Sequence, residues 1–140
     1  MVFTYLNTDY FDWKQEYDYF ASYRAAMYGY TKLKAGWDCN RHYEILAQGT
    51  APWFEQLELS PAHTMMHLPK QLLIQLRDML PYNADHYDSN DYLTSLPPKA
   101  FNHTAYWIGM QRLMHYTQQR LTTTALAKYM LMVTGKIICI

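Results

Sequence analysis

The chain has 140 residues, with 12 Lys and Arg against 12 Asp and Glu, giving a formal net charge of zero. With 50% hydrophobic and 17% charged residues, extended disorder is excluded and one domain with a real core is expected. A neutral chain lacks the basic excess that marks nucleic-acid binding, and no apolar run reaches the roughly 20 residues of a membrane helix.

The first ten residues carry no basic and apolar blocks of a signal peptide. Residues 11–26 read as a helix, with Tyr17, Phe20 and Tyr23/Arg24 sharing a face. Residues 27–32 are aromatic and β-branched and read as a strand that Gly36 breaks. Asp38 is placed to cap a helix over 39–48, with Gly49 as its stop, and 50–54 form a second strand. Pro52 puts that strand at an edge or an irregular end. Residues 70–80 are an amphipathic helix through Leu72, Leu73, Leu76, Met79 and Leu80, closed by Pro81.

Residues 81–98 are rich in turn formers and end on a proline pair, so they read as a loop between a mixed part and a helical part. Asn102 caps a helix to Gln119 whose core stripe is Trp107, Met110, Leu113, Met114 and Thr117. Thr122 or Thr123 caps the next helix, with Leu121, Ala125, Leu126, Tyr129, Met132 and Val133 on one side. Residues 136–140 read as a strand buried on both faces. The units are thus 1–80 (α/β), 81–98 (loop) and 99–140 (helical, ending in a strand).

Strand, glycine, helix, glycine, strand is the order of an α/β unit. On its helix Arg41, Glu44 and Gln48 share one narrow face, while Cys39, His42, Tyr43 and Leu46 turn the other way. A helix start at the end of a strand suits a diphosphate, with charge from Arg41 or Lys34 and ribose hydroxyls on Glu44. The same wheel describes a solvated Arg–Glu face, and spacing alone does not separate the two.

The run Lys34-Ala-Gly-Trp-Asp-Cys-Asn-Arg-His-Tyr-Glu-Ile-Leu-Ala-Gln-Gly-Thr-Ala-Pro-Trp-Phe54 resembles a glycosyltransferase-like family related to exostosin-type and GT-B enzymes. That family carries Gly-Trp-Asp-Cys-x-Arg-His-Tyr-Glu-Ile-Leu-x-x-Gly-x-x-Pro-x-Phe. Fainter likeness runs upstream to Tyr23 and Tyr28–Thr31. Downstream it continues through Ser60-Pro61, Thr64–Lys70 and Thr124–Tyr129, covering about half the chain. Asn40 and Gln48 fill variable positions, and Ser60 stands where the family has cysteine or asparagine.

The resemblance implies an α/β, partly Rossmann-like unit, like the C-terminal donor-binding half of GT-B enzymes, with a helical C-terminal part. By that resemblance Glu44 holds the ribose of a nucleotide-diphosphate sugar and Arg41 its diphosphate. Gly36 and Gly49 let backbone approach the donor, and Trp37 flanks base or sugar or packs on the sheet. Transfer would go to a hydroxyl or carbohydrate acceptor, without a metal or other cofactor, the base coming from a partner domain. The alternative is a non-catalytic carbohydrate- or protein-interaction module on a degenerate form of that fold. A two-domain transferase needs roughly twice this length, so a fragment or a pared-down domain is expected, inactive alone.

Other residues read more plainly. His42 is a core histidine that becomes an acid/base only if it opens toward the donor. Cys39 at a helix start, with no evident base partner, reads as a packed thiol. His63 and His67 are four apart, but Pro61 and Pro69 oppose a helical zinc pair there. Asp85, His86, Asp88 and Asp91 are residues of a solvated loop, and Asn102 is a cap before it is a glycosylation site. Two cysteines, Cys39 and Cys139, make no disulfide framework, which points to a reducing, cytoplasmic setting.

Overall fold

Every residue of Ala26–Thr31 (β2) is buried, so this strand has a layer on each of its faces. The computed structural model describes residues 2–4, 16–80 and 101–134, and there the chain is a mixed α/β structure with five helices and a small parallel sheet. Val2–Thr4 (β1), β2 and Ala51–Phe54 (β3) lie side by side in the order β1-β2-β3. Tyr28 pairs with Ala51, Gly29 with Pro52, Tyr30 with Trp53 and Thr31 with Phe54. Pro52 therefore lies on an edge strand of the described sheet, where its missing N–H costs no ladder bond.

Glu16–Ala25 (α1) and Asn40–Ala47 (α2) share one face of β2, and Gly29 shows why. A Cβ on Gly29 would stand 2.8 Å from Ile45 Cγ2 on α2 and 3.0 Å from Tyr23 Cδ1 on α1. The missing side chain is what lets both helices settle on the strand. Thr50, fully buried, locks the corner by donating to the Tyr23 carbonyl at 2.5 Å. Gly49 follows α2 at φ +77, a left-handed stop that glycine takes without strain, as expected.

The opposite face carries Lys70–Arg77 (α3) and His103–Arg120 (α4). Tyr28 points that way: its hydroxyl donates to the Leu76 carbonyl at 2.7 Å, and its ring lies 5.2 Å from that of Tyr106. Tyr106 in turn donates to the Met27 carbonyl at 2.6 Å. Two buried phenols thus tie α3 and α4 to β2 through hydroxyl bonds as well as ring contact. Gly109 brings α4 close to α3, since a Cβ there would meet Leu76 Cδ2 at 2.7 Å. Thr123–Val133 (α5) follows α4 and contains no buried residue.

Several expectations change. The buried face of α4 is Tyr106, Gly109, Met110 and Leu113, whereas Trp107 is 48% exposed. The close approach at Gly109 turns the helix so that Tyr106, rather than Trp107, faces the sheet. On α1, Tyr23 is buried but Tyr17 lies in solvent under the Arg24 guanidinium, 5.6 Å from its ring centre. On α5, Met132 and Val133, which share the apolar side read from the sequence, are exposed. Cys39, extended at φ −153 and ψ 156, occupies the cap position expected for Asp38. Asp38 lies one residue outside and accepts from the Tyr43 hydroxyl at 3.4 Å. α3 ends at Arg77 and a turn follows to Leu80.

Asn102 and Thr122 cap α4 and α5 as read, accepting from the Ala105 and Ala125 amides at 2.9 and 3.2 Å. The loop over 81–98, the strand over 136–140, Cys139 and the Asp85–Asp91 cluster lie outside the described residues.

Gly29→Ala should destabilise the fold by about 1–3 kcal/mol in urea unfolding, because Ile45 and Tyr23 would have to move. Gly36→Ala, with nothing within 4 Å of its added methyl, should leave stability unchanged.

Candidate functional site

A parallel βαβ unit gathers the loop after the first strand and the start of its helix at the carboxyl ends of the strands. Here that edge receives Lys34, Gly36 and Trp37 from the loop after β2, and Cys39, Arg41, His42 and Glu44 from the start of α2. Gly49 follows α2 and precedes β3, so it stands at the amino ends, across the sheet from the others. Its role is the helix stop described above.

Glu44 is half-buried and faces α1. Its Oε2 accepts from the Tyr19 hydroxyl at 2.8 Å, and Tyr23 donates to the Tyr19 oxygen at 3.5 Å. Tyr19 and Tyr23 meet edge to face at 5.1 Å. Burial raises the Tyr19 phenol well above its ordinary value, and its bonds to Tyr23 and Glu44 add to the shift. Tyr19 is thus a neutral donor that orients one carboxylate oxygen and leaves the other lone pairs of Glu44 as acceptors. Sequence reasoning missed it, because α1 brings it from 25 residues away.

His42 is 1% exposed and holds three pieces of backbone together. Its Nε2 lies 2.9 Å from the Trp37 carbonyl, an oxygen that only accepts, so Nε2 carries the proton. Nδ1 is then an acceptor, 3.0 Å from the Thr31 hydroxyl at the end of β2. The ring also lies 4.7 Å from Phe54, whose other neighbour is the stacked indole of Trp37 at 6.0 Å. This is the core histidine expected from the wheel. Trp37 packs on the sheet with its side chain and positions His42 with its carbonyl.

Cys39 departs from expectation. It is exposed rather than packed, and its Sγ lies 3.9 Å from Nδ1 of His42. Partial burial raises the thiol, but His42 and the amides of Arg41 and His42 outweigh that and hold it below its ordinary value. The spacing Cys-x-x-His across a helix start was the available signal. What the sequence does not show is the tautomer, set by a carbonyl five residues before the ring.

His67 stacks edge-on against Tyr129 at 5.0 Å and His63 is exposed. Among the described residues no three His, Cys, Asp or Glu side chains converge as a metal site would. No helix there is long and apolar enough to cross a membrane. An open groove of about 620 Å³ runs past Leu57, Ser60, Lys70, Leu72 and Tyr116; none of the sequence-derived site residues lines it.

No family model matches the chain, and no curated protein or solved structure matches it.

Tyr19→Phe should cost about 0.5–1.5 kcal/mol of stability in thermal or urea unfolding, because Glu44 loses its half-buried hydrogen-bond donor. Tyr17→Phe, at a hydroxyl in solvent, should cost nothing measurable and serves as the comparison.

Proposed function

We propose that the chain binds a nucleotide-diphosphate sugar as the donor-binding part of a glycosyltransferase-like protein. In this reading β2–α2–β3 is a Rossmann-like unit of the kind found in the C-terminal half of GT-B enzymes. The observation that carries it is Glu44, one turn into a helix that starts at the carboxyl ends of parallel strands, with its carboxylate oriented by Tyr19.

The chemistry follows from those positions. Glu44 accepts hydrogen bonds from two ribose hydroxyls through the lone pairs Tyr19 does not use. The first amides of α2, with Arg41 and Lys34, favour the diphosphate by dipole and charge. Gly36, exposed and open, gives the donor an unobstructed backbone approach. Holding the leaving diphosphate stabilises charge that grows as the glycosyl bond breaks, and the scheme calls on no metal. The acceptor is a hydroxyl, as on a carbohydrate, and its base comes from a partner domain.

A non-catalytic interaction module is the second reading, favoured by one observation. Trp107 and Met130 to Val133 leave a run of apolar side chains 47–63% exposed on α4 and α5. Exposed apolar surface of that kind marks interaction sites.

Calorimetry separates the two. Uridine or guanosine diphosphate sugar should release heat with the wild type, and Glu44→Ala should weaken binding by about tenfold, or 1.4 kcal/mol. Equal weak heats for both proteins would overturn the donor site and leave the interaction module.

A further inference from the structure

We propose that Cys39 is a reactive thiolate, made by proton transfer to Nδ1 of His42, and that it is a modification site for low-molecular-weight disulfides. The proposal stands on the side chains around the sulfur and is independent of nucleotide-sugar binding.

Three features place a nucleophile, its base and an orienting group in sequence. Cys39 is an exposed residue with a partly buried thiol, so a small reagent reaches it. The ring nitrogen 3.9 Å away is the unprotonated one, because the Trp37 carbonyl holds the proton on the other nitrogen at 2.9 Å. The ring cannot turn away, since it is 1% exposed and packed on Phe54. Thr31 donates to the same Nδ1 at 3.0 Å, and its hydroxyl can reverse to accept once that nitrogen is protonated. A charged ring would then keep both protons partnered, one on the Trp37 carbonyl and one shared by Thr31 and the sulfur.

Around the sulfur, His42 and the amides of Arg41 and His42 favour the anion, Tyr23 of α1 and Tyr43 of α2 lie in electrostatic reach, and the charged Asp38 and Arg41 flank it along the chain. Burial raises both phenols, so they are neutral where the thiol titrates. His42 Nδ1, 3.9 Å from the sulfur, is therefore the nearest side-chain nitrogen to take the thiol proton.

The step is a thiol–disulfide exchange. The Cys39 thiolate attacks one sulfur of R–S–S–R, a Cys39–S–S–R bond forms, and the original S–S bond breaks. The second sulfur leaves as RS⁻ and takes a proton from solvent. The leaving sulfur drops from the disulfide to the thiolate level as Cys39 rises from the thiolate to the disulfide level, so the electrons balance; a free thiol reverses the reaction.

Iodoacetamide and oxidised glutathione test it, each over pH 5.5–9, with the Cys39 peptide read by mass spectrometry. Folded protein should be alkylated at Cys39 roughly threefold or more faster at pH 7 than the urea-unfolded chain, with its pH midpoint shifted down. Oxidised glutathione should give a reversible adduct on Cys39 faster in the folded protein than in urea. His42→Gln should return the pH midpoint toward the unfolded one. Should that variant not fold, the comparison of folded and unfolded wild type decides alone. Coincident pH profiles for folded and unfolded chain, or a glutathione adduct formed no faster when folded, would overturn the proposal.

Discussion

His42 is the point on which the carboxyl edge of the sheet depends. Its two ring nitrogens join the end of β2, through Thr31, to the loop carbonyl of Trp37, and the ring itself belongs to α2. A buried polar ring is tolerable only when both nitrogens are satisfied, because an orphaned one costs about 1–3 kcal/mol. Satisfying them leaves the loop little freedom: Trp37 must stand where its carbonyl meets the ring. Its indole then stacks on Phe54, and Cys39 begins the helix beside Nδ1. Loop path, helix start and thiol environment follow from one side chain.

The sheet holds that edge in place by absences as much as by contacts. Gly29 has no side chain between β2 and the helices above it, so α1 comes near enough for Tyr19 to reach Glu44. Gly109 does the same for α3 and α4 below. In between, Tyr28 and Tyr106 fill the core and spend their hydroxyls on main-chain carbonyls of neighbouring elements. The high tyrosine content is thus structural where it is buried, each phenol combining apolar area with one directional bond.

Much of this was legible in the residues. Turn glycines and β-branched runs located β2, α2 and β3, because local signals decide local structure. The core histidine followed from the wheel of α2. What stayed hidden depends on partners far along the chain. Trp107 looked like the anchor of α4 by hydropathy, but the close approach at Gly109 selects Tyr106, whose partner carbonyl lies 79 residues away. For Glu44 the wheel left a ribose contact and a solvated face open, and gave no sign of Tyr19, which lies on another helix. Cys39 looked inert because the proton on its neighbouring ring is placed by a main-chain oxygen, which no side-chain pattern records.

In the proposed function residues 32–44 are the edge that meets the donor, with Glu44 and Arg41 toward a nucleotide sugar. Amide chemical-shift mapping with a uridine diphosphate sugar tests that most directly. The account predicts shifts concentrated at Gly36, Trp37 and the first turn of α2, with little change at Gly49 across the sheet. Shifts confined to the groove beside Ser60, Lys70 and Tyr116, or none at all, would contradict it.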